Sequence, residues 1–332
     1  MLEVVSVACP DVSTAPQRGR SVSVVTPVFN EAECLVAYYQ RTKQALAQCD
    51  LAGYELVFVD DGSTDRSSQI LAELAAADRM VKVITLSRNF GHHPAVFAGL
   101  HFASGEVIII LDADLQDPPE LIPQLLAERN KGFSLVFARR RNDQNSLLLS
   151  LLKRAFRALM RRLSNIEFPA SVGVFSAMDA RLKDLLLDMP ERERYLVAMQ
   201  MYLGHRVGYV DYDRAPRLQG RAKQGFSRLF RLGMNALFSY SSLPLQCSMV
   251  AGLLCLIATI VSIGIVLYHK LVLHIAITGW TSVMIAILAM GAVQLLSLWI
   301  IGEYVDRIFE NTKCRPYFIV WKQVGTRGCA SL

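Results

Sequence analysis

Glu106-Val107-Ile108-Ile109-Ile110-Leu111-Asp112-Ala113-Asp114-Leu115-Gln116 is the stretch on which the fold turns. An apolar, β-branched run this short suits a strand buried on both faces, as in parallel sheets covered by helices. It stops abruptly at two carboxylates and an amide. Similar runs at 21–26 (SVSVVT), 55–59 (ELVFV), 81–86 (VKVITL) and 134–138 (SLVFA) predict four further strands. Helical segments are expected between them at 31–48, 67–77, 94–103 and 119–130. This alternation predicts an α/β chain with a doubly wound, mostly parallel sheet. No internal repeat or low-complexity stretch interrupts it.

In such sheets ligands bind beyond the carboxyl ends of the strands. Were the loop after residue 111 extended, alternate residues would project to one side. Asp112, Asp114 and Gln116 are then expected to offer three oxygen ligands together. Hard oxygens suit Mg²⁺ or Mn²⁺, which share coordination with substrate phosphates. Two neighbouring carboxylates repel unless a cation lies between them. The same rim should carry residues 27–31 (PVFNE), with Asn30 capping a helix, and residues 60–65 (DDGSTD). Turn and cap formation accounts for much of the second cluster. It does not require both Asp60 and Asp61, so one carboxylate remains to accept hydrogen bonds from a ribose or base. No glycine-rich phosphate loop is present, which argues against a nicotinamide dehydrogenase or an ATPase. His92 and His93 are read as loop and capping residues, because neighbours entering a helix cannot share one ligand face.

The 332 residues are 52% apolar and 19% charged, with a formal net charge of +6. The mean hydropathy of +0.31 exceeds that of an ordinary soluble enzyme and excludes a disordered chain. Residues 247–268 and 275–301 contain no Asp, Glu, Lys or Arg. Each exceeds the roughly 20 residues that span a bilayer, so a transmembrane hairpin is expected over 247–301. Arg221, Lys223, Arg228 and Arg231 precede it, and Arg307, Lys313 and Arg315 follow. By the positive-inside rule both flanks, both termini and the sheet domain are cytoplasmic, on a multi-pass inner-membrane protein. Residues 146–163 combine an apolar helical face with Lys153, Arg154, Arg157 and Arg161, the pattern of a helix lying on anionic headgroups. The expected division is a loose tail over 1–20, a domain over 21–225, a juxtamembrane helix over 226–246, the hairpin, and a C-terminal tail over 302–332. Because the basic residues gather at the bilayer flanks, the net charge does not point to nucleic acid. The seven cysteines form no CxxC pair and are read as reduced thiols; residues 1–19 lack the apolar core of a signal peptide.

PVFNE (27–31), FVDDGSTDRS (58–67), LSRNFGHHPAVFAGL (86–100), DADLQDPPELIPQLL (112–126) and PERERYL (190–196), followed by the double apolar run, resemble polyprenyl-phosphate glycosyltransferases. These are inverting family 2 enzymes with a GT-A domain, related to dolichol-phosphate mannose synthase. The resemblance spans about residues 21–311 and implies transfer of a hexose from a nucleotide sugar, a UDP-hexose, to polyprenyl (undecaprenyl) phosphate. It implies that Pro27, Phe29 and Glu31 belong to the first nucleotide loop, where tyrosine is usual at Phe29, and that Val59 and Asp61 contact base and ribose. Asp112, Ala113, Asp114 and Gln116 fall on the metal and diphosphate loop. Arg140 follows the fifth strand, and Arg217 and Lys223 lie in a phosphate loop. Homo-oligomers also occur in the family. Two departures are visible. Residues 171–175 (SVGVF) stand where the family often reads D-x-G-D-F, and Ala222 and Gln224 replace a serine and a tyrosine.

The first departure removes a carboxylate sometimes proposed as base. A hydroxyl acceptor needs such a base, whereas a phosphomonoester already carries a charge of about −1.5 to −2. In-line displacement by lipid phosphate therefore needs only charge neutralisation and alignment, with Asp112 and Asp114 as the catalytic pair. A catalytically inactive membrane scaffold is the competing class. A polysaccharide synthase is the nearer alternative, but the chain has no QxxRW-like signature and two spans are few for a polymer channel.

Overall fold

The computed structural model describes residues 20–141, 171–190, 194–203, 205–213, 279–313 and 315–325, with separate positions between 248 and 268. The described residues fall into two compact units, one made of those up to 213 together with 316–325, the other of those from 248 to 315.

The first unit is built on an eight-stranded mixed sheet in the order β7-β5-β6-β4-β1-β2-β3-β8. Its strands are β1 (Arg20–Val28), β2 (Leu51–Asp60), β3 (Val81–Leu86), β4 (Val107–Ile110), β5 (Leu135–Arg140), β6 (Val172–Asp179), β7 (Val207–Tyr212) and β8 (Val320–Val324). The central β4-β1-β2-β3 block is parallel, as the apolar runs predict. Towards its edges the sheet is less parallel than expected, since β6 runs antiparallel to both β4 and β5, and β8 antiparallel to β3.

Alternation along each strand divides the core into two faces. Val22, Val24, Leu56, Phe58 and Ile109 face one way. They pack against α1 (Ala32–Ala47), α2 (Ser67–Ala77) and α4 (Ile122–Arg129). Val25, Val57, Val59, Ile108 and Ile110 face the other way. There they meet α3 (His92–Phe102), α5 (Ala180–Asp188) and α6 (Leu196–Tyr202). Residues of period two thus feed both layers, so the strands read as unbroken apolar runs.

Three strands escape the sequence reading. β6 begins with half-buried residues, and β7 alternates. β8 lies in the segment expected to be a tail, with Trp321, Lys322 and Gln323 exposed. Its first residue Val320 and the preceding Tyr317 and Phe318 pack against the core on the α3 face. The Arg194 guanidinium lies over the Phe97 and Tyr317 rings, 4.8 and 5.2 Å from their centroids, which fastens this returning segment to α3.

In the second unit α7 (Trp280–Thr312) runs for 33 residues. It exposes Val283, Ile287, Met290, Leu295, Leu298 and Trp299. Counted over the described residues, which omit several of its side chains, no helix is long and apolar enough to cross a membrane.

Helix α3 crosses the sheet at Gly99. A Cβ there would lie 2.3 Å from Val25 Cγ1 and 3.0 Å from Val59 Cγ2. Gly99→Ala is therefore expected to destabilise the protein by about 1–3 kcal/mol through overpacking. This outweighs the ~1 kcal/mol that alanine gains in a helix. A lower midpoint in urea unfolding is the check.

Candidate active site

The loops leaving β1, β2 and β4 gather at one end of the parallel block, and side chains from the β2–α2 turn hold them. Asn30, in a left-handed conformation at φ 57°, does not cap α1 as expected. Its Oδ1 accepts the Thr64 N–H at 2.8 Å instead. Asp65 Oδ2 accepts the Ala32 N–H at 3.2 Å, so α1 receives its cap from the neighbouring loop. Asp60 is fully buried and accepts from the Ser63 N–H at 2.9 Å and from the Ser68 hydroxyl. That is the turn role anticipated for this cluster.

Asp61, implied to contact ribose, is bonded to the backbone entering α3. Its two oxygens accept the N–H groups of Phe90 and Gly91, at 2.7 and 2.9 Å. Burial pushes this carboxyl above its ordinary range, and the two amide bonds oppose the rise. Asp61 therefore fixes the turn entering α3, where Gly91 takes φ 104°. The Val59 side chain is sealed in the core. Pro27 is likewise buried, whereas Phe29 is exposed and Glu31 half-exposed at the rim.

The acidic loop after β4 is not extended. Asp114 Oδ1 accepts the Gln116 N–H at 3.1 Å, two residues on, and Leu115 takes φ 57°. This local turn cancels the alternation that would align three ligands. Ala113 packs into the core instead of facing a ligand. Gln116 is buried, with its Nε2 lacking a partner. Among the described residues, no three or more His, Cys, Asp or Glu side chains gather to hold a metal ion.

Asp112 remains the exceptional group. Its Oδ1 is sealed from solvent and has no hydrogen-bond partner. Burial pushes the carboxyl upward and the charges of Asp114 and Asp117 add to it, while His92 and Arg140 oppose. His92 Nε2 stands 3.7 Å from Oδ1. Asp114 lies by the start of α1, where burial and then the charges of Glu31, Asp114 and Glu33 push the Cys34 thiol up.

Asp117, which the sequence did not single out, anchors the loop. One oxygen accepts the Tyr212 hydroxyl and the other the Arg140 guanidinium at 3.4 Å. Arg140 Nε also donates to the Tyr212 hydroxyl at 3.1 Å. Gly173 leaves room for this arrangement, since a Cβ there would lie 2.8 Å from Arg140 Nη2. Arg140, expected on the nucleotide sugar, is thus first an ion-pair partner of the loop. Arg217, Lys223, Lys153, Arg154, Arg157 and Arg161 lie outside the described residues.

The sequence pattern found here is shared. The family described as Glycosyl transferase family 2 matches residues 23–186. An uncharacterised glycosyltransferase of Bacillus subtilis, YkcC, is 36% identical over 304 residues, covering 91% of this chain and 94% of that one. The chain belongs to glycosyltransferase family 2.

Another relative of this glycosyltransferase is a prophage bactoprenol glucosyl transferase homolog of Escherichia coli. It is 32% identical over 303 residues, covering 90% of this chain and 98% of the relative. The SfII prophage-derived bactoprenol glucosyl transferase of Shigella flexneri is 32% identical over 305 residues, covering 91% and 97%. Among solved structures, glucosyl-3-phosphoglycerate synthase from Mycobacterium tuberculosis, in complex with Mn²⁺, UDP and glucosyl-3-phosphoglycerate, is similar at 22% identity with a TM-score of 0.49. The likeness covers 68% of this chain and 81% of that one.

His93, next to His92 in the glycosyltransferase, has an unpartnered, buried Nδ1 and stands edge-on to Tyr195 at 5.5 Å. Burial, with His92 adding, pushes its pKa from 6.5 down to about 4. The unfolded chain therefore takes up this proton first. The contribution is intact above pH 6.5 and lost as pH falls to about 4, at most ~3 kcal/mol. His93→Gln is expected to flatten that part of the stability profile, read from urea midpoints between pH 4 and 7. Tyr212→Phe strips Asp117 of its hydroxyl donor and is expected to cost about 1–3 kcal/mol in the same measurement.

Proposed function

We propose that this glycosyltransferase is a membrane-bound, inverting hexosyltransferase. It moves a hexose from a nucleotide sugar, a UDP-hexose, to undecaprenyl phosphate at the cytoplasmic face of the inner membrane, for cell-envelope glycan or lipid modification. The observation that carries the reading is the sealed, unpartnered Asp112 Oδ1 beside Asp114 and Asp117 at the strand ends. An uncompensated carboxylate oxygen in such surroundings calls for positive charge. The relatives named bactoprenol glucosyl transferases, aligned over nine-tenths of the chain, support the lipid acceptor.

Asp112, with Asp114 close by, would hold a divalent ion such as Mg²⁺ or Mn²⁺, an ion type that shares coordination with substrate phosphates. Such an ion, when bound, supplies Lewis-acid stabilisation of the leaving diphosphate. Arg140, held by Asp117 and Tyr212, contributes a fixed positive charge. Arg217 and Lys223 are proposed to neutralise the phosphates. A lipid phosphate oxygen forms the new bond to the anomeric carbon as the bond to the diphosphate oxygen breaks, and the nucleoside diphosphate leaves with that electron pair. The nucleophile is already ionised, so no proton has to be removed. Val174, in place of a carboxylate, is compatible with this chemistry.

The membrane reading rests on the sequence runs at 247–268 and 275–301 and on α7. A helix of 33 residues is about 50 Å long. Leu253, Leu254, Ile257 and Ile260 of the first run are exposed and apolar. We read the two runs as a hairpin and residues 146–163 as an interfacial helix that serves the lipid substrate.

Purified full-length protein is expected to transfer radiolabelled sugar from one of a panel of nucleotide hexoses to undecaprenyl phosphate, with a divalent ion required. Asp112→Asn and Asp114→Asn are each expected to slow transfer about 100-fold or more. Undiminished turnover in both variants refutes the assigned role of the loop.

A further inference from the structure

We propose that His92 is a ligand of the divalent ion held by Asp112, a nitrogen donor that gives the site a preference for Mn²⁺ over Mg²⁺. The proposal rests on the metal reading above and assigns a residue to that same site.

Three observations lead to it. First, the Nε2 to Oδ1 separation of 3.7 Å is too long for a hydrogen bond. It suits two donors sharing one ion, because bonds of about 2.1 Å place their ends roughly 3.0–4.2 Å apart for ligand angles of 90–180°. Second, Asp112 Oδ1 is sealed and unpartnered. A pair formed for its own sake would close to hydrogen-bonding distance and satisfy that atom. Third, the imidazole is held in place. Asp61 fixes the Phe90 and Gly91 amides, Gly91 turns the chain at φ 104°, and His92 opens α3 directly after it. A ligand carried on a helix start and braced from the neighbouring strand keeps its position as the ion comes and goes.

The adjacency of His92 and His93, which argues against a shared ligand face, does not bear on this arrangement. His92 Nε2 faces Asp112, while the His93 ring stands edge-on to Tyr195 with its Nδ1 buried. The His92 ring is 42% exposed, so its approach to the ion does not require opening the core. Two protein donors leave coordination positions for diphosphate oxygens and water. Mg²⁺ takes oxygen ligands, whereas a transition ion accepts imidazole, so the nitrogen biases the choice of metal.

The test uses the full-length protein and Mn²⁺ alone, read by pulsed electron paramagnetic resonance and by titration. Wild-type protein is expected to show ¹⁴N coupling to bound Mn²⁺. His92→Ala should remove that coupling, weaken Mn²⁺ binding at least about 10-fold and leave Mg²⁺ binding nearly unchanged. An unchanged circular dichroism spectrum verifies that the variant is folded. Absence of ¹⁴N coupling in the wild type overturns the proposal without recourse to any variant. Equal Mn²⁺ affinity in His92→Ala overturns it as well. Asp112→Asn separates the two layers of the argument: if Mn²⁺ binds this variant as tightly as the wild type, the metal reading itself falls. If Asp112→Asn loses the ion and His92→Ala does not, only the role of His92 falls.

Discussion

Three carboxylates on one short loop, two of them largely or wholly withdrawn from water, constitute the constraint around which this glycosyltransferase is arranged. Asp112, Asp114 and Asp117 leave the end of β4 within six residues, and their charges act on one another. The protein answers part of that repulsion itself. Arg140 and Tyr212, from the ends of β5 and β7, reach Asp117 and neutralise it. Gly173 on β6 leaves space for the Arg140 guanidinium in this position. Asp112 is left with a sealed oxygen that has no hydrogen-bond partner, faced by His92 at 3.7 Å.

A second set of carboxylates does structural work at the same rim. Asp60 shapes the turn after β2, Asp65 caps α1 across the loops, and Asp61 holds the entry to α3. The bonds of Asp65 and Asp61 cross between loops that are distant in sequence, so the ends of β1, β2 and β3 are locked into one surface. Such support is how a site on loops gains precision. The cost is that acidic residues at one strand end look equivalent in sequence while performing different tasks.

Much of the fold was legible because the central strands are buried on both faces. Runs such as Val107–Ile110 then have no polar interruption, and their helices follow with regular spacing. The edge strands were not legible for the converse reason. β7 is half-exposed and alternating, and β8 shows Trp321 to solvent, so neither stands out from a loop or tail. In the site, the acidic loop was located by its place after a buried strand. Its internal geometry was not, because a single side chain bond, Asp114 to the Gln116 amide, reverses the local direction.

The sequence by itself determined the class of fold and the place of the acidic loop at the end of a buried strand. These follow from local pattern: hydrophobic period, strand length, and acidic residues where a buried strand stops. Only the tertiary structure decided which carboxylates are already spoken for. Asp61 meets Phe90 and Gly91, and Asp117 meets Arg140 and Tyr212, across 23 to 95 residues of chain. Partnership of that kind depends on which strand ends become neighbours, and sheet order is set by packing of the whole core rather than by any one segment.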